Sequence, residues 1–242
     1  MSTSGTYTWT SNRDFICSEA LRKIGALGDF EVTPASSDQR MQNAYNALNP
    51  MIKAFQAFGM PVWAISIELV ALSSWTSNPV TIGPSMTINQ IDKPLKIVQA
   101  LRQDTQGNSY EVPLFIDPFE NYENLANKLA TGAPLRIFYQ PFKDYGSIYL
   151  WPLPDTYWLT NQLKIRYQRP FQDFNTATDE PDFPVEWHEA LIYQLAVRLA
   201  PVYGLAPNDR GQLRNEADRL LQTAKDWDQE EGALFIQPYV YR

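Results

Sequence analysis

Residues 37–69 read SDQRMQNAYNALNPMIKAFQAFGMPVWAISIEL, and inside this stretch the hydrophobic period changes from helical to extended. Met41, Ala44, Tyr45, Leu48, Met51, Ile52, Phe55 and Phe58 recur at steps of three and one, the stripe of an amphipathic helix. The pattern predicts a helix from about Ser37 to Phe58. Pro50 falls inside it, and an interior proline costs about 3 kcal/mol and kinks the helix. The stripe keeps its phase across Pro50, so the spacing predicts one bent helix. Gly59 and Pro61 end it. Beyond them Trp63, Ile65, Ile67 and Leu69 alternate with Ala64, Ser66 and Glu68, which is the period of a strand.

Downstream, as far as about Pro170, the chain reads as short strands and turns. Leu95–Asp104 and Ser109–Ile116 flank Thr105-Gln106-Gly107-Asn108, a hairpin-like loop. Leu135, Ile137 and Tyr139 alternate, as do Leu163, Ile165 and Tyr167, with Lys164 and Arg166 on the opposite face. Asn121–Ala130 is a short helix candidate, closed by Gly132 and Pro134.

Upstream, Ile16, Cys17, Ala20, Leu21, Ile24 and Leu27 form the stripe of a helix from about Asn12 to Leu27, with Gly28 as its stop. Glu19 and Lys23 are placed for an ion pair one turn apart. Helical signals return at Pro184. His188, Leu191, Ile192, Leu195 and Leu199 form one stripe, closed by Pro201 and Gly204. A last helix begins near Asp209, which has capping-box spacing to Gln212. Its expected buried face is Leu213, Ala217, Leu220, Leu221, Ala224 and Trp227.

The expected fold class is therefore α+β. N- and C-terminal helices form one helical domain, residues 1–60 and 184–232. An antiparallel β-rich domain with one short helix, residues 61–183, is inserted between them. The core of the helical domain is expected to contain Ile16, Leu21, Ile24, Tyr45, Leu48, Ile52, Phe55, Leu191, Leu195, Leu220 and Trp227. Residues 233–242 form an extended tail in which Pro238 rules out a regular helix. Leu234, Phe235, Ile236, Tyr239, Val240 and Tyr241 make that tail apolar where chain ends are usually polar. An apolar extended end needs a surface to cover it, on its own subunit or on a partner.

Composition narrows the functional classes. Apolar residues are 44% of the chain and charged residues 19%, which is a folding composition. The net charge is −7 and the 20 basic residues are scattered, so tight gripping of DNA phosphates is not expected. Met1–Trp9 has no basic region leading into an apolar run, and no stretch reaches the roughly 18 apolar residues of a membrane span. Neither a signal peptide nor a membrane anchor is expected, and with Cys17 alone there is no internal disulfide.

The residues for most catalytic chemistries are missing. One His and one Cys cannot form a His/Cys zinc site, and there is no nucleophile elbow, P-loop or dinucleotide fingerprint. His188 sits on an apolar stripe, where a packed or interfacial histidine is the simpler reading. Cys17 reads as a small core residue. Glu186 with Glu189 and Glu230 with Glu231 are the carboxylate pairs that glycoside hydrolysis would need, and a solvated helix face explains both. The aromatic run with Tyr139, Phe142, Tyr145, Tyr149, Trp151 and Tyr157 reads as sheet core plus contact surface, with a stacking platform as the alternative. No catalytic residue, cofactor or metal is expected.

Taken in order, eight segments resemble the head-to-tail adaptor proteins of short-tailed bacteriophages, also called packaged-DNA stabilisation or head-completion proteins. They are ALRKIGAL (20–27), ALNPMIKAFQAFG (47–59), VTIG (80–83), DKPLKI (92–97), VPLFI (112–116), GAPLRIFYQP (132–141), GSIYLWPLP (146–154) and LAVRLAPVYGL (195–205). Pro50 and Pro79 depart from the family pattern. The resemblance implies a non-enzymatic structural subunit in the virion neck, assembled in the host cytoplasm. It implies a homo-oligomeric ring, most often dodecameric, below the portal protein. The ring would extend the DNA channel with non-specific contact to double-stranded DNA, help retain the packaged DNA, and receive a tail or nozzle protein. The family's C-terminal segment docks on the portal, a role that falls here on the tail residues named above. A virion-associated peptidoglycan hydrolase and a glycan-binding tail module are the competing readings.

Overall fold

The computed structural model describes residues 5–6, 9–58, 62–86, 91–106 and 110–228. The chain divides into two compact units, Met1–Trp63 with Phe171–Arg242, and Ala64–Pro170.

In the helical unit, helix α1 spans Arg13–Lys23. Asn12 caps it, its side-chain oxygen accepting from the Phe15 amide at 2.8 Å. The helix ends earlier than Gly28. Gly25 adopts φ +70°, the Gly25 amide donates to the Arg22 carbonyl, and the Ala26 amide donates to Leu21. That is a Schellman closure, which a glycine permits without strain. Glu19 pairs with Arg22 instead of Lys23, whose ammonium lies 4.8 Å from the centre of the Tyr193 ring.

Helix α2 spans Gln39–Phe55, is capped by the Asp38 side chain, contains Pro50 and continues as a 3-10 turn over Gln56–Phe58. Its stripe is buried at Met41, Ala44, Leu48, Met51, Ile52 and Phe55. Asn49 exchanges two hydrogen bonds with the Phe174 backbone, and Lys53 reaches the Phe171 carbonyl and the Asp173 carboxylate. These contacts tie residues 171–183 to the helical unit. The rings of Trp63, Phe171 and Phe183 pack together, with Trp63 and Phe171 stacked at 4.9 Å. The chain thus rejoins the helical unit at Phe171, earlier than the helical periodicity at Pro184 suggests.

In the second unit ten strands and one short helix follow in order among the described residues. They are β1 (Ile65–Ala71), β2 (Val80–Ile82), β3 (Lys96–Gln103), β4 (Glu111–Pro113), β5 (Phe115–Ile116), α3 (Phe119–Glu123), β6 (Thr131–Gly132), β7 (Arg136–Pro141), β8 (Gly146–Trp151), β9 (Leu153–Pro154) and β10 (Gln162–Gln168). One sheet has the order β1-β10-β3-β4, all antiparallel, and a second has the order β2-β8-β7-β5, in which β5 runs parallel to β7. A parallel β6–β9 pair completes the unit. Ile97, Ala100, Ile137, Ile148, Leu150, Leu163, Ile165 and Tyr167 share one core. Helix α3 is shorter than expected, and the expected β3–β4 hairpin is present. Of its loop, Gly107–Ser109 lie outside the described residues. The apolar positions of β1 are not all covered. Ile67 and Leu69 are 54% and 53% exposed, and the fully buried residue of the strand is Val70 on the other face.

Back in the helical unit, a 3-10 turn at Val185–Trp187 leads into α4 (His188–Leu199), and α5 spans Pro207–Trp227. Helix α5 starts with Pro207 in its first turn, so Asp209 is a first-turn acid and not the cap. It lies antiparallel to α4, with Gln194 hydrogen-bonded to Asp218. The buried residues of α5 are Ala217 and Ala224, small enough to let the two helices approach closely.

The expected core divides accordingly. Ile16, Leu21, Ile24, Leu48, Ile52, Phe55, Leu191 and Leu195 are buried, and Tyr45 and Leu220 are half-buried. Trp227 is corrected outright: it is 58% exposed. Helix α5 has 21 residues and α4 has 12, so the last turns of α5 run past the helix they pack on. No described helix is long and apolar enough to cross a membrane.

Candidate interaction site

The expected docking residues Leu234, Phe235, Ile236, Tyr239, Val240 and Tyr241 lie outside the described residues, as do Glu230 and Glu231.

His188 is buried, with Nε2 3.2 Å from the Phe183 carbonyl and Nδ1 2.8 Å from Ser11 Oγ. A carbonyl only accepts, so the proton sits on Nε2, and Nδ1 accepts from the serine hydroxyl. Burial holds the imidazole below its ordinary pKa, which favours this neutral form. The pair has the hydrogen bond of a hydrolytic dyad, serine hydroxyl to unprotonated imidazole nitrogen, but not its setting. Ser11 is also buried, and the second ring nitrogen faces a backbone carbonyl where a triad needs a carboxylate. Cys17 is buried, and desolvation pushes its thiol up to about 12, far from the thiolate a nucleophile needs. Among the described residues no group of three or more His, Cys, Asp or Glu is placed to hold a metal ion.

The aromatic run is mostly consumed by the fold. Phe138 and Tyr149 pack with Tyr122 and Phe119 of α3. Tyr139 donates to the Pro94 carbonyl at 2.5 Å, Trp151 to the Asn127 carbonyl at 2.7 Å, and Tyr157 to Asp104 at 2.7 Å. Phe142 and Tyr145 stack on each other at the β7–β8 turn. These rings are not aligned as a row for successive bases or sugars.

Among the described residues, two of the open grooves lie on the helical unit. The first, about 400 Å³, lies between α1 and α4 and is lined by Trp9, Phe15, Ile192 and Tyr193. Glu19, Glu186 and Glu189 make its rim acidic, with Lys23 beside them. Glu186 and Glu189 are thus solvated groove residues. The second, about 320 Å³, lies at the α4–α5 turn, where Val197, Ala200, Pro201 and Pro207 form an apolar floor and Arg210 and Arg214 a cationic rim.

Three surface features lay beyond the sequence reading. They are Phe30, 102% exposed in the α1–α2 loop, and the outward Ile67 and Leu69 of β1. The signal for Phe30 was its place between Asp29 and Glu31 in a glycine- and proline-bounded loop. The periodicity that identifies β1 does not say which face is covered.

A family model described as SU10 adaptor protein matches residues 16–234. None of the curated proteins compared with the chain matches it.

Proposed function

The chain belongs to the SU10 adaptor protein family, a family of phage head-to-tail adaptors, and from that membership we propose that it is one subunit of a ring seated below the portal of a phage particle. The ring, dodecameric in this reading, continues the DNA channel, helps retain the packaged DNA and receives the tail. The observation that carries the proposal is the extent of the family match, which takes in all of the inserted β unit and the helices on both sides of it. The net charge of −7, with scattered cations, supports a channel that makes few phosphate contacts, so that retained DNA can still leave.

Residues 233–242 are the portal-docking element in this proposal. Each of the six large apolar side chains contributes about 1.5–3 kcal/mol when fully buried, less the entropy of ordering the segment. A chain lacking Ala233–Arg242 should retain its circular dichroism spectrum and its cooperative unfolding while losing portal binding in a pull-down. Portal binding at full strength by the truncated chain would refute the docking role.

A further inference from the structure

We propose that neighbouring copies of this chain contact each other through the Asp29–Val32 loop of one copy and the α4–α5 groove of the next. This interface rests on the ring reading above and gives it specific surfaces.

The loop has the form of a preorganised anchor. Glu31 is pinned from several directions. Its carboxylate accepts from Arg40 at 2.7 Å and from the Gly28 amide at 3.3 Å, its carbonyl accepts from Arg22 at 2.9 Å, and its amide donates to the Gly28 carbonyl at 3.0 Å. These bonds hold the backbone while Phe30 projects wholly into solvent, with exposed Val32 two residues on. An isolated exposed aliphatic residue is ordinary, but a wholly exposed phenyl on a fixed loop is the form of a binding hot spot. The ordering entropy of such a loop has already been lost in the free subunit.

Charge decides which groove takes it. The anchor is preceded by the exposed Asp29, whose charge is open to a partner, whereas the Glu31 carboxylate is already paired with Arg40. The α1–α4 groove presents Glu19, Glu186 and Glu189 and repels it. The α4–α5 groove presents an apolar floor with Arg210 and Arg214 at its edge. Arg210 Nε is buried without a hydrogen-bond partner, and the exposed Arg214 is paired only loosely with Asp218, at 3.8 Å. Loop and groove are different surfaces of one chain, so their contact is head-to-tail and repeats from copy to copy, which is the arrangement that closes into rings.

The test uses the full chain, alone and assembled on its portal, with Val32→Cys and Gly211→Cys introduced together, which leaves Asp29, Arg210 and Arg214 in place. The native Cys17 is buried and adds no background. Mild oxidation should give a ladder of covalent multimers, each copy donating one thiol and accepting one. An equimolar mixture of the two single variants should stop at the dimer, which excludes a bond within one chain. Phe30→Ala should leave the monomer's unfolding unchanged and raise the concentration for half-assembly by at least about 30-fold, as for an anchor residue. Rings seen by electron microscopy without a ladder would overturn this interface and leave the ring reading intact. Neither ring nor ladder, even on portal, would overturn both.

Discussion

Ser11 Oγ lies 2.8 Å from Nδ1 of His188, joining positions 177 residues apart in the chain. The bond ties Ser11, the residue before the Asn12 cap of α1, to the first turn of α4, beside the ring contact of Trp9 with the same imidazole at 5.8 Å. It requires an unprotonated Nδ1. Desolvation lowers the folded-state pKa of His188 below the ordinary imidazole value of about 6.5, so the unfolded chain takes up the proton first as the pH falls. The stabilisation is fully present above about pH 6.5 and is lost as the pH falls below it, with a slope of at most about 1.4 kcal/mol per pH unit. Glu31 and Asp38, held low by Arg40, and Asp179, held low by Thr176, lose their contributions only in a more acidic window. Urea unfolding at pH 7.5, 6.5 and 5.5 should therefore show a decline that His188→Asn largely removes. An equal decline in the variant would disprove the assignment.

Cys17 offers a readout of the packing between α1 and its neighbours. Its thiol is buried and raised to about 12 by desolvation. At pH 8 the native protein should leave a thiol reagent such as Ellman's reagent unconsumed, and one equivalent should react in denaturant. Full reaction within minutes under native conditions would mean that the buried face of α1 opens readily.

At Gly146, where β8 begins, an added Cβ would run into the ring and hydroxyl of Tyr139 on the paired strand β7. That ring has no easy escape, because its hydroxyl is bonded to the Pro94 carbonyl and the side chain packs against the core of the sheets. Gly146→Ala should destabilise the β unit by about 1–3 kcal/mol, the usual range for overpacking. Gly211→Ala, where the added Cβ meets nothing within 4 Å, is the control and should be neutral or stabilising. Equal denaturation midpoints for the two variants would refute the clash.

Much of the fold is legible in the sequence because it rests on periodicity. The stripe of α2 runs through Pro50, and Leu163, Ile165 and Tyr167 face the core of their sheet. Helix ends were less legible because they depend on single backbone angles. Gly25, not Gly28, takes the left-handed conformation that ends α1. Trp227 was misplaced because a stripe shows which face of α5 is apolar but not how far its partner helix extends. The anchor at Phe30 has no periodic signature at all. It depends on Arg22 and Arg40 converging on Glu31 from two helices, a tertiary fact. The resemblance, by contrast, was carried by ordered segments and not by any catalytic motif, and the family match covers nearly the same residues.

The outward face of β1 gives a final, quantitative contrast. Leu69 and Leu163 sit on adjacent strands, where Leu69 pairs with Lys164 and Leu163 with Val70, so the two leucines point to opposite faces of one sheet. Leu163 is wholly buried and Leu69 is half exposed. Removing the buried side chain forfeits its transfer free energy and leaves a cavity, so Leu163→Ala should cost about 2–5 kcal/mol. Leu69→Thr keeps a branched residue suited to a strand and loses little buried area, so it should cost less than about 1 kcal/mol. Urea midpoints of the two monomeric variants test the difference. A Leu69→Thr penalty as large as that of Leu163→Ala would mean that β1 is covered within its own subunit, and that its exposed apolar pair is not available surface.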